Sequence, residues 1–238
     1  MEPVTDVAEL AALIRTHRPC VVLTGAGVST ESGIPDFRSP TGIWAEFDPL
    51  EYASIRAFHT DPARVWRFYA LRYEALVAAE PNAGHLALAE LERRGLVSAV
   101  ITQNIDLLHE RAGTRELVEV HGSIRTASCP GCRRTYALDQ VLARLPVPAC
   151  DDDGAVLKPD VVFFGELLPE TALERAFELA RAAGLLLVVG STLEVYPVAG
   201  LPLEAKHFAI VNVGPTALDR RAVLRVEGKA GVILPALL

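Results

Sequence analysis

Five short polar clusters, each following an apolar run, carry the residues able to do chemistry. The first is Gly25-Ala26-Gly27-Val28-Ser29 after Val21-Val22-Leu23, with Ser32-Gly33-Ile34-Pro35-Asp36-Phe37-Arg38 close behind. Gly25 and Gly27 have no Cβ to block a phosphate, so their backbone N–H groups suit a dinucleotide pyrophosphate. The common dinucleotide fingerprint has a third glycine where this chain has Thr30. The glycines alone therefore suit an ordinary strand-to-helix turn equally well. Asp36, Phe37 and Arg38 add an acid, an aromatic plate and a forked cation just past it.

The other clusters are Thr102-Gln103-Asn104-Ile105-Asp106, His121-Gly122, Gly190-Ser191-Thr192 and Asn212. Gln103, Asn104 and Asp106 offer hydrogen bonds suited to a ribose and a carboxamide, but no strong nucleophile. His121 is the natural titrating group, because an imidazole changes charge near neutral pH. A lone histidine equally suits a buried ring bonded to a backbone carbonyl. Its place at a strand end beside Gly122 makes it a general-base candidate. A hydride-transferring enzyme usually has an acid about 20 positions past the glycines, after a second strand. Glu46 and Asp48 stand near there with no strand before them, which weakens that reading.

The elements that must position these groups follow from periodicity. Apolar runs at 21–23, 97–101, 117–120, 161–164, 185–189, 208–211 and 223–226 predict strands, several without alternation, as in a parallel sheet covered on both faces. Helices are predicted over 6–17 with Thr5 or Asp6 as cap, from Asp61-Pro62 onward, between Asn82 and Gly95, and over 170–183. The Ser/Thr-rich stretch after Gly27 is expected to start another. Strands alternating with helices imply an α/β fold with a doubly wound, Rossmann-like parallel sheet. Ligands bind beyond the carboxyl ends of such strands, so the five clusters should meet on one rim. Residues 39–60 lack a period and are expected to form a long irregular loop, a candidate lid.

Half of the 238 residues are apolar, enough for a substantial core, and the net charge of −7 argues against nucleic acid or an anionic membrane as the main partner. No run of 18 apolar residues appears, and Met1-Glu2-Pro3-Val4 lacks a signal-peptide pattern, so a cytoplasmic location is expected. Cys20 precedes the first strand and reads as a small core residue. Cys129, Cys132 and Cys150 cluster in a stretch rich in Arg, Pro and Asp, where a metal is more usual than a disulfide in a cytosolic protein. This stretch, 123–160, reads as a small inserted module between residues 1–122 and 161–238 of the main domain.

Taken in order, the first four clusters with Phe164-Gly165-Glu166, Leu193-Glu194-Val195-Tyr196-Pro197 and Gly228-Lys229-Ala230-Gly231 resemble the motif series of the sirtuins, NAD-dependent protein-lysine deacylases. The match spans essentially the whole chain; Gly190-Ser191-Thr192 stands where the family more often has Gly-Thr-Ser. The resemblance implies that NAD lies across the strand ends and is consumed. Gly25, Ala26, Gly27, Ser29, Asp36, Phe37 and Arg38 would line one part of its site. Gln103, Asn104, Ile105 and Asp106 would line a second, and Gly190, Ser191, Thr192, Asn212, Val213 and Ala230 a third. Asn104 and His121 would be catalytic. The acyl-lysine oxygen attacks the ribose carbon as nicotinamide leaves, and His121 takes a proton from a ribose hydroxyl. The products would be free lysine, nicotinamide and an acyl-ADP-ribose ester. The peptide would lie extended between Phe164-Gly165-Glu166 and the segment containing Val195. Mono-ADP-ribosyl transfer to protein and non-catalytic sensing of NAD or ADP-ribose are the competing functions.

Two further features gain meaning from the resemblance. Tyr69 and Arg72 share a helix face at i, i+3, which by spacing alone suits a half-buried phenol and a solvated cation. The sirtuin subgroup that removes acidic acyl groups has this pair with a small residue sixteen positions before the tyrosine, here Ala53, which implies succinyl or malonyl as substrate and acetyl as a weaker one. Sirtuins also usually hold a structural zinc on four cysteines. Here Asp153 stands at the fourth position, so Cys129, Cys132, Cys150 and Asp153 are the expected zinc-ribbon-like ligands, with Asp151 or Asp152 as substitutes. A lost metal and a redox dithiol are the alternatives.

Overall fold

The computed structural model describes residues 3–238. Met1 and Glu2, on which part of the signal-peptide reading rests, lie outside them. The chain begins with α1 (Pro3–Thr16), so the helix starts upstream of the expected Thr5 or Asp6 cap and Asp6 sits in its first turn. After β1 (Cys20–Thr24) the Ser/Thr-rich stretch forms a tight 3₁₀ run, Ala26–Ser32, stopped by Gly33 at φ +83°. The expected loop at 39–60 is instead three helical pieces: a 3₁₀ turn at Ile43–Ala45, α2 (Pro49–Tyr52) and α3 (Ile55–Thr60). Asp48 accepts from Leu50 N–H and Ser54 from Ala57 N–H, local caps that start helices too short to show a period.

The longer helices begin where their caps stand. Asp61 accepts from Arg64 N–H ahead of α4 (Pro62–Ala78), and Asn82 accepts from Gly84 and His85 N–H ahead of α5 (Ala83–Arg93). Then come β2 (Ala99–Thr102), α6 (Leu108–Arg111), β3 (Leu117–Glu119), β4 (Gly122–Ser128), β5 (Thr135–Ala137) and α7 (Leu138–Leu142). The chain continues through β6 (Lys158–Val161), α8 (Glu170–Ala182), β7 (Leu185–Val189), β8 (Phe208–Asn212), β9 (Leu224–Glu227) and α9 (Ala230–Ile233).

Six strands form a parallel sheet in the order β3-β2-β1-β7-β8-β9. Every residue of β1, β2, β7 and β8 is buried, which is why those runs show no alternation. Leu10, Leu88, Leu91 and Ile233 cover one face; Ala176, Ala180, Val198 and Leu201 cover the other. The sheet is thus doubly wound. One expected strand moved: the run at 161–164 does not join this sheet. Its pairing begins upstream as β6, antiparallel to β4 in a separate sheet of order β5-β4-β6, with only an isolated parallel bridge from Ser54 to Phe164 beyond it. That small sheet shares a third core with the helices before it, in which Trp66, Tyr69 and Tyr73 of α4 join Ile124, Tyr136 and Phe163. Among the described residues no helix is long and apolar enough to cross a membrane.

Candidate active site

A cavity of about 980 Å³ opens between the carboxyl ends of the parallel strands and the small sheet with α4. All five strand-end clusters reach its wall. Every residue expected at the cofactor, from Gly25, Ser29 and Asp36–Arg38 through Gln103–Asp106 and Gly190–Thr192 to Asn212, Val213 and Ala230, lines it. So do His121 and the expected substrate residues Ala53, Tyr69, Arg72, Phe164, Gly165, Glu166 and Val195.

The glycine turn expected to hold a phosphate departs from expectation in its donors. Gly25 N–H donates to Val189 C=O at 3.0 Å and Gly27 N–H to Gly190 C=O at 2.9 Å, so neither is free for a phosphate. Their lack of side chains serves another need. A Cβ on Gly27 would lie 2.8 Å from Gly190 Cα, and one on Gly25 2.7 Å from Gly190 O, so the glycines let the first turn pack on the turn after β7. Among the described residues Ala26 N–H has no partner and is the open donor there. Thr30 replaces the third glycine without strain, its hydroxyl donating to Gly27 C=O at 3.0 Å. Asp36 is likewise engaged locally: its carboxylate accepts from Arg38 and Ser39 N–H, closing its own loop. Arg38 pairs across the cavity mouth with Glu194 at 3.0 Å.

Beneath this wall lies a dense polar layer. Asn104 Nδ2 donates to Gly25 C=O at 3.2 Å and to Ser29 Oγ at 3.1 Å, which leaves its Oδ1 without a partner among the described residues. Ser29 donates to Asp106 at 2.6 Å, and the other Asp106 oxygen accepts from Leu108 N–H. His121 Nδ1 lies 3.1 Å from Gln103 C=O, so that nitrogen carries the proton and donates, leaving Nε2 as the basic site. Burial pushes the His121 pKa below 6.5 and the Gln103 carbonyl partly opposes this; the ring is neutral at pH 7.

The opposite wall is aromatic and cationic. Phe37 stacks on Trp44 at 5.1 Å, and the Arg72 guanidinium lies 5.2 Å from the Phe37 ring and 5.6 Å from that of Phe68. Among the described residues Arg72 has no hydrogen-bond or ion-pair partner. Burial lowers its pKa, with Tyr69 opposing, and burial raises that of Tyr69. Ala53 C=O accepts from Phe164 N–H at 2.8 Å, tying the small residue expected at the acyl group to the segment expected to hold the peptide.

The ligand atoms of Cys129, Cys132, Cys150 and Asp153 lie within 4.8 Å of one another. A tetrahedral zinc with sulfur ligands sets its donors about 3.8 Å apart, so the cluster fits that ion. The structure also chooses among the three aspartates: Asp151 pairs with Arg144 and Asp152 with Arg134, whereas Asp153 turns to the thiols, 3.3 Å from Cys129 Sγ. The Tyr136 hydroxyl donates to Cys150 Sγ and lowers its pKa, favouring the thiolate that a metal needs. Cys20 is the first residue of β1, not a residue before it, and is buried in the core as expected.

Two contributors escaped the sequence reading. His85 is fully buried with Nε2 3.5 Å from Ser29 Oγ, and its edge meets His109 at 4.8 Å. Burial drives His85 down to about 4 against the pull of Asp106, and His109 to about 3. The only local signal was Asn82 three positions earlier, whose N–H donates to His85 Nδ1 in a reciprocal cap. Trp44, which stacks on Phe37, lies in the 39–60 stretch, where no period marks it.

The Sir2 family model matches residues 25–197. The chain is 48% identical over 232 residues to "NAD-dependent protein deacylase 2" of Pyrobaculum aerophilum, covering 96% of this chain and 93% of that protein. It is 44% identical to "NAD-dependent protein deacetylase 1" of the same organism, covering 98% and 94%. A solved Sir2 variant with a deacetylated p53 peptide and 3′-O-acetyl-ADP-ribose matches with a TM-score of 0.94 at 39% identity, covering 98% of this chain and 97% of that one.

Proposed function

The chain belongs to the Sir2 family, and on that footing we propose that it removes acyl groups from protein lysines at the expense of NAD, with succinyl and malonyl ahead of acetyl. One observation carries the acyl preference: Arg72 is a half-buried cation on the cavity wall with only aromatic faces beside it. Such a group is poorly hydrated and unneutralised, so a carboxylate entering the pocket gains a forked partner. Tyr69 adds one hydroxyl, and Ala53 leaves space. A net gain of about 1.5–3 kcal/mol for hydrogen bonds to a charged group corresponds to about 10- to 150-fold in selectivity. Acetyl has no charge to offer and gains none of it.

In this reading NAD is the co-substrate, and cleavage of its nicotinamide–ribose bond makes the ribose carbon electrophilic. Ala26 N–H with the hydroxyls of Ser191 and Thr192 receives the pyrophosphate, and Asn104 and Asp106 hold the nicotinamide end. His121, with Nδ1 tethered to Gln103, takes a ribose hydroxyl proton at Nε2. Open backbone groups at Gly165 suit an added peptide strand. Cys129, Cys132, Cys150 and Asp153 hold a zinc ion that braces the small sheet and does no chemistry, because they lie outside the cavity wall. Metal analysis should find about one zinc per chain; folded, zinc-free protein would refute that part.

Incubation with NAD and matched succinyl-, acetyl- and unmodified peptides tests the function through nicotinamide release and peptide mass. Acyl loss, faster from succinyl-lysine, is the expected outcome. A gain in peptide mass would point to ADP-ribosyl transfer, silence would point to sensing, and equal rates on both acyl groups would sink the acyl preference.

A further inference from the structure

We propose that Lys158 is a positioning residue for the substrate peptide, although it lies outside both the acyl pocket and the cofactor wall. The inference rests on the deacylase reading above and concerns how the peptide-binding edge is held. Residues 163–166 form a tight turn: Glu166 N–H donates to Phe163 C=O at 3.0 Å, and Gly165 takes φ +88°. The turn is closed a second time by its own side chain, since Phe163 N–H donates to Glu166 Oε2 at 2.8 Å.

Lys158 reaches the same Oε2 at 2.9 Å. Its other two N–H bonds go to Pro159 C=O at 3.0 Å and Val161 C=O at 2.9 Å. An ammonium group has three donors, and here all three are engaged. Both side chains of the pair are only 22% exposed, so water and salt screen it less than a surface pair. The ammonium also stands 4.5 Å over the Phe163 ring. A planar guanidinium could not converge on three such acceptors.

The other flank of the turn is held by backbone. Phe164 N–H donates to Ala53 C=O at 2.8 Å, and Ile55 N–H donates to Phe164 C=O at 3.0 Å. What stays open among the described residues is the N–H and C=O of Gly165, the edge a peptide strand can pair with. That edge hangs from β6 through Lys158 and not from the parallel sheet that carries the cofactor wall. Peptide affinity should therefore depend on Lys158 and NAD affinity should not.

The test compares wild type with Lys158→Met in steady-state assays varying NAD and succinyl-peptide separately, with calorimetric titration of each. Lys158→Met should raise the peptide KM and Kd by about tenfold and leave the NAD values within about twofold, the pattern of lost ground-state binding. Lys158→Arg should restore little of the loss. Adding Glu166→Gln to Lys158→Met removes the stranded carboxylate and should recover Tm while the peptide KM stays raised. An unchanged peptide KM, or NAD and peptide values worsening together, overturns the proposal. Should Lys158→Met not fold, Glu166→Gln alone weakens the pair but keeps the turn; it should raise the peptide KM by about threefold, and no rise overturns the proposal. Wild type that neither turns over nor binds acyl-peptide overturns the deacylase reading and this one with it. Wild type that does both, beside an indistinguishable Lys158→Met, overturns this one alone.

Discussion

On the parallel-sheet side of the cavity, functional groups are held by short-range hydrogen bonds to backbone or to buried hydroxyls: Asn104 to Gly25 and Ser29, Asp106 to Ser29 and Leu108, His121 to Gln103, Gly27 to Gly190. On the facing side they are held by aromatic stacking and charge: Arg72 on Phe37 and Phe68, Lys158 on Glu166. The first arrangement leaves few degrees of freedom, because strand ends are fixed by the sheet. The second depends on long side chains from separate elements, so it can be retuned by one substitution without disturbing the sheet. The contrast suits an NAD-dependent deacylase that, on the reading proposed above, chooses among acyl groups.

The sharpest way to break the contrast is His121→Ala. Losing the proposed base should lower deacylation by about 10²–10⁴-fold on succinyl- and acetyl-peptides alike, with NAD binding retained in a calorimetric titration. A loss confined to one acyl group would mean that the cofactor wall also reads the substrate. Arg72→Met comes next. It should lower kcat/KM on succinyl-lysine by about 10- to 100-fold and change that on acetyl-lysine little. Equal losses on both peptides would remove the distinction between the walls.

Acid provides the third test, through the buried layer under the cofactor wall. The folded pKa values of His85 and His109 lie below 6.5, so between those values and 6.5 the unfolded chain binds more protons than the folded one. Their contribution to stability is therefore full above about 6.5 and is lost as the pH falls toward about 4. Thermal melts from pH 7 to pH 4 should show Tm dropping across that window. His85→Gln, which does not titrate, should flatten the drop; an unchanged slope would show that other groups cause it. The His121 shift has the same direction, so the acid limb of the deacylation rate should have its midpoint below 6.5. The smallest effect is expected from Glu194→Gln. The Arg38–Glu194 pair is half exposed, and such pairs contribute no more than about 1 kcal/mol, so the NAD KM should rise by at most about fivefold.

Much of the cofactor side was readable from the chain, because its signals are local. A buried parallel strand needs a continuous apolar run, and the polar residue after it must fall on the rim. The acyl side was less readable. Tyr69 and Arg72 at i, i+3 describe many solvated helix faces, and the pair took on meaning only through the sirtuin resemblance. The helical pieces at 39–60 escaped because helices of three to six residues are too short to show a period. Lys158 carried no signal, since its ion pair joins residues that local pattern does not relate.

The strands of the parallel sheet and the rim clusters that follow them are readable from residue order alone, because each depends on neighbours a few positions away. Three outcomes are not. The glycine turn after β1 leaves Ala26 N–H open and not those of its glycines, because Val189 and Gly190, more than 160 positions along the chain, take those donors. Asp153 is the aspartate that faces the thiols because Arg134 and Arg144 draw off its two neighbours. The run at 161–164 leaves the parallel sheet because β6 finds its partner in β4. Each is a competition between donors and acceptors distant in sequence, and a linear reading has no measure of which partner arrives within 3 Å.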